Sequence, residues 1–281
     1  MKYLLIYQYF CVFNNKIMIL DFIHWDVSPE IFSFGSFSVR WYGLLFASAF
    51  FFGYLIMKKI FDREQISIET LDQLSIYMLI GTVLGARLGH VLFYQPDYYI
   101  KHPLEIIQVW KGGLASHGAA LGILISLYFF SKKTKKSYLW ILDRIVIVVA
   151  IGGFFVRMGN LMNSEIVGHV TTVPWGFIFE REINYLGDEA RHPTQLYEGL
   201  SYLLLFGILI WMYFKKNLGE KPGVIFGVFL IGLFSARFFI EFFKAVQVDF
   251  EHNMSLNMGQ ILSIPFILFG IYLLVTKLKK A

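Results

Sequence analysis

The sequence predicts an all-α, polytopic membrane protein with about seven transmembrane helices, and three observations lead there. Hydrophobic residues make up 57% of the 281-residue chain and mean hydropathy is +0.59, well above an ordinary soluble domain. Apolar runs of about 20 residues, enough to span roughly 30 Å of hydrocarbon at about 1.5 Å per residue, recur seven times. Lysine and arginine gather in alternate connections between those runs, as short cytoplasmic loops do.

Taken in order, the expected spans are 41–60, 74–94, 114–130, 139–162, 196–214, 223–243 and 258–276. Aromatic residues stand at several of their ends, among them Trp41, Tyr42, Tyr94, Tyr138, Trp140, Trp211 and Tyr213, where an interfacial belt belongs. The first span is followed by Lys58, Lys59 and Arg63, the third by Lys132, Lys133, Lys135 and Lys136. Lys215, Lys216 and Lys221 follow the fifth, and Lys277, Lys279 and Lys280 the seventh. The other connections are longer and carry scattered cations, Lys244 among them. This asymmetry puts the N terminus outside and the C terminus inside. The net charge of +5 is therefore topology, and no nucleic-acid partner is expected.

The first 17 residues fit this plan poorly. They are apolar with an early Lys2, and no small-residue cleavage pattern follows. We expect Met18 to be the start of a single domain over 18–281, with 1–17 an extension or start-site artefact. Cys11 is the single cysteine, which excludes a disulfide framework and a multi-thiolate metal site. Phe10 before it is no lipoprotein signal residue.

Four arginines lie inside the apolar runs: Arg87, Arg144, Arg157 and Arg237. Each costs about 2.5 to 3.5 kcal/mol at the bilayer centre on an insertion scale, so an intramembrane cation marks a candidate functional site. With the N terminus outside, Tyr42, Arg87, His117, Arg157, Asn160, Glu198, Arg237 and Glu241 all fall in the outer half and are able to line one cavity. Arg144, beside Asp143 near the inner end, is expected to snorkel to the interface as a structural cation. Small residues surround His117 in KGGLASHGAALG (111–122), so a neighbouring helix or a ligand can approach it. The connection 163–195 is the longest and is expected to form a small periplasmic cap between the fourth and fifth helices. Pro193 near its end suits a first helical turn. No HExxH, paired histidine or aspartate-rich run appears, so no catalytic metal is expected. No GxSxG appears either, against a serine hydrolase.

At these residues the chain resembles the bacterial phosphatidylglycerol:prolipoprotein diacylglyceryl transferases, from about Met18 to the C terminus. The family signature GRxGNFxNxExxG is similar to 156–168 here, with Arg157, Gly159, Asn160, Asn163, Glu165 and Gly168 retained, and Val156 and Leu161 as departures at packing positions. Further similar blocks are RWYG (40–43), GARLGHVLFY (85–94), SHGAALG (116–122), HPTQLYE (192–198) and ARFFIEFF (236–243). Leu233 stands where the family often has a tyrosine, so no role is carried there.

The resemblance implies transfer of a diacylglyceryl group from phosphatidylglycerol to the lipobox cysteine of a prolipoprotein signal peptide, in the bacterial inner membrane, with the site toward the outer leaflet. It implies membrane lipids as surroundings and no cofactor. A thiol must be deprotonated and a departing phosphate stabilised. On this reading His117 is the general base and Arg157 and Arg237 clamp the phosphate. Glu241 orients Arg237 as an i,i+4 pair. Tyr42, Asn160, Asn163 and Glu165 hold glycerol hydroxyls or fix the arginines, and Arg87, Gly168 and Glu198 complete the substrate site. Without the resemblance, a small-anion transporter, a histidine-dependent acyltransferase and a non-enzymatic assembly factor stay open.

Overall fold

In a lipid surround the backbone must satisfy its own hydrogen bonds, and each apolar run does so as a helix. The computed structural model describes residues 10–13, 16–19, 22–35, 37–109, 112–182, 189–245 and 254–279. Its long helices are α1 (Trp41–Arg63), α2 (Ile68–Phe93), α4 (Ser116–Thr134), α5 (Tyr138–Met162), α6 (Thr194–Lys216), α7 (Val224–Ile240) and α8 (Met258–Leu278), with a short α3 (Pro96–Lys101) after α2. Short strands accompany them, beyond the all-α expectation. β1 (Phe10–Phe13) pairs antiparallel with β2 (Lys16–Ile19), and β4 (Glu30–Phe34) with β5 (Phe37–Arg40). β3 (Ile23–Trp25) runs parallel to β6 (Phe177–Phe179).

Six of the described helices are long and apolar enough to cross a membrane: α1, α2, α5, α6, α7 with its following turn, and α8. The chain is thus a polytopic membrane protein. The expected third span is present as α4, a 19-residue helix, but His117 at its start and Lys132 and Lys133 in its last turn make it less apolar than those six. Glycine seats it against α2. A Cβ on Gly85 would lie 2.4 Å from the Gly118 carbonyl oxygen, and one on Gly122 2.2 Å from that of Gly81. The two backbones touch there, as small residues permit.

The ends of the helices differ in kind. At the lysine-rich end, Asp143 on α5 accepts from the Gly223 and Phe226 amides at 2.6 and 2.7 Å, closing the start of α7, where orphan amides need an acceptor. Arg144 does not snorkel. It is buried, pairs with Glu64 at 2.6 Å, and donates to the Trp140 and Gly219 carbonyls, each at 3.0 Å. Tyr213 also donates to Glu64. The partner comes from the α1–α2 turn, so the cation is neutralised within the bundle rather than at the interface.

The main apolar core sits in this same half. It gathers Met57, Ile60 and Phe61 from the end of α1, Leu71 and Leu74 from the start of α2, and Leu127 and Phe130 from the end of α4. To these α5 adds Ile141, Leu142, Ile145, Val146, Ile147 and Ala150, with Leu209 on α6 and Ile225 on α7. Toward the other end the buried side chains turn polar: Arg87, Asn160, Glu198, Glu241, Lys244 and Gln260. The bundle is sealed by hydrocarbon at one end and wired by charge at the other.

Candidate active site

The last turn of α5 begins the site. α5 ends at Met162, and the chain reverses through Ser164 and Ile166 at φ 53° and 60°. Left-handed backbone is costly for a β-branched residue, so something must hold it. Thr194 and Gln195, both fully buried at the start of α6, do so: Thr194 Oγ1 donates to the Ile166 carbonyl at 2.8 Å and Gln195 Nε2 to the Glu165 carbonyl at 2.6 Å. The reversal points the Glu165 carboxylate back at α5, where Oε1 accepts from Asn160 Nδ2 at 2.7 Å and from Asn163 Nδ2 at 3.3 Å. Asn160 Oδ1 in turn accepts from Arg157 Nη1 at 3.1 Å.

Arg157 is also the hub of an ion network. Its Nε lies 2.6 Å from Oε2 of Glu198, a fully buried carboxylate on α6. Oε1 of Glu198 lies 3.1 Å from Lys244 Nζ, which is 3.3 Å from Oε2 of Glu241. Tyr202, one turn after Glu198, stands beside the Arg157 guanidinium. Four charges of alternating sign are therefore strung across α5, α6 and the end of α7. A carboxylate is buried without ruinous cost only when paired this way.

Glycines bring the surrounding backbone in. Gly159 lies under Tyr42, whose ring carbon would be 2.7 Å from an added Cβ. Gly168 is crowded by the Phe243 carbonyl and by His192, at 2.5 and 2.6 Å from such a Cβ, and its amide donates to the His192 carbonyl at 2.9 Å. Its part in the structure is thus a backbone junction between the α5–α6 connection and the end of α7. Nearby, Trp175 donates to the Tyr197 hydroxyl at 2.8 Å, which stands 3.0 Å from His192 Nδ1. Burial and the neighbouring His169 push the His192 imidazole below its ordinary pKa.

The expected residues do not all converge. Tyr42, Arg157, Asn160, Asn163, Glu165, Glu198 and Glu241 fall into one connected region. Arg237 stands one turn before Glu241 on α7, half-buried, and makes no hydrogen bond or ion pair with any described residue. The expected Arg237–Glu241 pair is therefore corrected: Glu241 turns to Lys244 instead. Arg87 is buried and directs its donors at backbone carbonyls of the α2–α4 connection, with Nε 2.8 Å from Ile106, Nη1 2.6 Å from Gly112 and Nη2 2.5 Å from Glu105. Tyr99 lies against its guanidinium, 4.9 Å from the ring centroid. His117 is exposed on the first turn of α4, with no hydrogen bond or ion pair among the described residues. Sequence reasoning missed Lys244, Tyr202 and Gln195. For Lys244 the signal was present: a cation three residues after Glu241, at the border of an apolar run.

Residues 29–276 match the family described as prolipoprotein diacylglyceryl transferase. The chain is 48% identical over 262 residues, 93% of its length and 96% of its relative's, to a protein of Chloroherpeton thalassium named phosphatidylglycerol–prolipoprotein diacylglyceryl transferase. Proteins of the same name in Porphyromonas gingivalis and Tolumonas auensis are 45% and 43% identical, over 92% of this chain in each case. The charge network assembled by Arg157, Glu198, Glu241 and Lys244 thus lies within the matched region, and the chain belongs to the prolipoprotein diacylglyceryl transferase family.

Proposed function

We propose that the chain transfers the diacylglyceryl group of phosphatidylglycerol to the cysteine thiol of a prolipoprotein, at a site built around Arg157 and Arg237. The cysteine sulfur forms a thioether bond to the glycerol carbon of the lipid. The bond from that carbon to the phosphate oxygen breaks, and glycerol phosphate leaves. The thiol proton passes to a base, because the thiolate is the nucleophile. His117 is the base in this reading, exposed on the first turn of α4 with no hydrogen bond or ion pair among the described residues.

One observation carries the site assignment. Arg237 offers a guanidinium with no hydrogen bond or ion pair among the described residues, on the same end of the bundle as an Arg157 already fixed by Glu198 and Asn160. A half-buried cation without a counter-ion is unfavourable unless an anion arrives, and a planar fork suits phosphate. Charge growing on the departing phosphate is stabilised by donors held in place beforehand. Asn160, Asn163 and Glu165 hold the head-group glycerol or the Arg157 side chain, with Tyr42 packed over Gly159 beside them. Glu198 and Glu241 set the electrostatics of the cations, and Arg87 and Gly168 shape the walls.

The acyl chains stay in the bilayer, so the donor is reached laterally from the leaflet at the end away from the lysines. We place that end outside, with seven spans counting α4, the N terminus out, and the α5–α6 connection as a periplasmic cap in a bacterial inner membrane. The apolar seal at the lysine-rich end speaks against an anion path through the bundle.

The test is incubation of the purified protein with phosphatidylglycerol labelled in its diacylglyceryl part and a peptide carrying a lipobox cysteine. Label on sulfur with glycerol phosphate released supports the assignment. Movement of acyl groups alone, or transfer undiminished in both Arg157→Ala and Arg237→Ala, overturns the mechanism.

A further inference from the structure

We infer that Lys244 is a positioning residue for this reaction: it captures the Glu241 carboxylate and thereby keeps Arg237 unpaired for the lipid phosphate. The inference rests on the reading of Arg237 as a phosphate contact.

The geometry presents a competition. The Glu241 amide donates to the Arg237 carbonyl, so the two residues sit one helical turn apart on one face, the spacing at which opposite charges pair. The backbone then tightens into a 3-10 turn over Glu241–Phe243, which brings Lys244 round at i+3. Glu241 takes that partner, 3.3 Å away, and leaves Arg237 without an ion pair among the described residues. Lys244 is held where it is by a third element, since Oε1 of the fully buried Glu198 lies 3.1 Å from Nζ. Lys244 is itself 5% exposed, which an ammonium tolerates only when its counter-ions are fixed.

The far side of Glu241 is fixed as well. A Cβ on Gly259, at the start of α8, would fall 2.5 Å from the Glu241 carboxyl carbon, so α8 presses on the carboxylate from behind. Glu198 is thereby shared between Arg157 and Lys244, and Glu241 is engaged by Lys244. Arg237 remains as the cation in surplus. Without Lys244, the Glu241 carboxylate is released toward the guanidinium a turn away, at the i,i+4 spacing of an ion pair, and the phosphate must then compete with it.

The experiment compares Lys244→Met, Lys244→Gln, Lys244→Arg, Glu241→Gln and the double variant Lys244→Met with Glu241→Gln, all in full-length protein in nanodiscs. Transfer from phosphatidylglycerol to a lipobox peptide is measured as kcat and as KM for the lipid, and thermal melting checks each fold. Lys244→Met and Lys244→Gln are expected to raise KM by about tenfold or more, the loss of a charge-assisted contact, with a smaller change in kcat. Lys244→Arg keeps a low KM. The double variant recovers most of the lost affinity, because the competing carboxylate is gone. A purely structural lysine gives a rescue that tracks the melting temperature, because Glu241→Gln removes a buried carboxylate left unpaired, whereas here KM recovers among variants of equal melting temperature. Unchanged KM in a folded Lys244→Met or Lys244→Gln protein overturns the inference, as does a double variant no better than Lys244→Met. If Lys244→Met fails to melt cooperatively, Lys244→Gln decides. Arg237→Ala separates the two levels: if it leaves KM unchanged the phosphate reading itself fails, whereas a raised KM there beside an unchanged KM in the Lys244 variants refutes the role of Lys244 alone.

Discussion

Intramembrane guanidinium is expensive, and the four arginines of the apolar runs are compensated in different ways. Arg144 is neutralised by Glu64 and Arg157 by Glu198, Arg87 is solvated by carbonyls, and Arg237 has no hydrogen bond or ion pair among the described residues. Arg87→Ala is expected to leave three or more carbonyls of the α2–α4 connection without donors, at about 1.5 to 3 kcal/mol for each bond to a charged group. The outcome should be faster proteolysis within 95–109 than in the parent protein, and Arg87→Lys should not restore protection, because one ammonium cannot reach carbonyls spread around a fork. Equal digestion of parent and Arg87→Ala proteins would refute this. His192 gives a pH prediction. Its folded pKa lies below the ordinary value, so the fold favours the neutral ring. Its contribution is full above the unfolded pKa of roughly 6.5 and is lost as pH falls through that value toward the lower folded one. Melting temperature should therefore drop more steeply between about pH 6.5 and 5 for the parent than for His192→Gln, and parallel curves would sink the idea. The sequence located these groups by cost and depth, yet it misassigned Glu241. Spacing allows both i+3 and i+4 partners, and the choice is made by Glu198 on α6 and by α8 behind, which no local pattern contains.

At the level of elements, the apolar runs read almost directly as helices, but the helices outlast them. α1 continues to Arg63 and α2 begins at Ile68, where Ser67 accepts from the Thr70 amide. Helical hydrogen bonding carries on through amphipathic turns at the interface, so hydropathy marks the hydrocarbon and not the helix ends. The short strands were illegible because runs of three to five residues show no reliable period. The parallel β3–β6 pair joins residues more than 150 positions apart, a tertiary decision. The glycine-rich stretch around His117 allows close approach, and the element that uses it is α2. Two substitutions separate packing from propensity. Gly122→Val must push a branched side chain into the α2 backbone and should lower the melting temperature by several degrees, in keeping with overpacking costs of about 1 to 3 kcal/mol. Gly207→Ala on α6 meets nothing within 4 Å and should stabilise slightly, by up to about 1 kcal/mol of helix propensity. If the two variants melt alike in the same detergent, the α2–α4 contact is not a limiting one.

For the molecule as a whole, the division between a sealed end and a charged end makes a claim about access. The core at the lysine-rich end is continuous across α1, α2, α4, α5, α6 and α7, and the contacts of Arg144 and Tyr213 bind two connections over it, α1–α2 through Glu64 and α6–α7 through Gly219. Lipid and peptide both belong to the opposite leaflet in the proposed orientation, so nothing in the reaction requires that seal to open. In a Cys11→Ser background, single cysteines report this directly. Thr172→Cys, exposed in the α5–α6 connection, should react with a membrane-impermeant maleimide on intact spheroplasts. Lys135→Cys, exposed at the lysine-rich end, should react only after lysis. Leu209→Cys, at 0% exposure in the core, should stay unlabelled from either side, with substrate lipid present or absent. Labelling of Lys135→Cys from outside would invert the orientation, and labelling of Leu209→Cys during turnover would mean that the seal breathes with the reaction. A sealed base has a mechanical consequence: it lets the opposite half carry the strained turn and the buried charges, because a bundle anchored by its apolar core does not depend on the charged end for its stability.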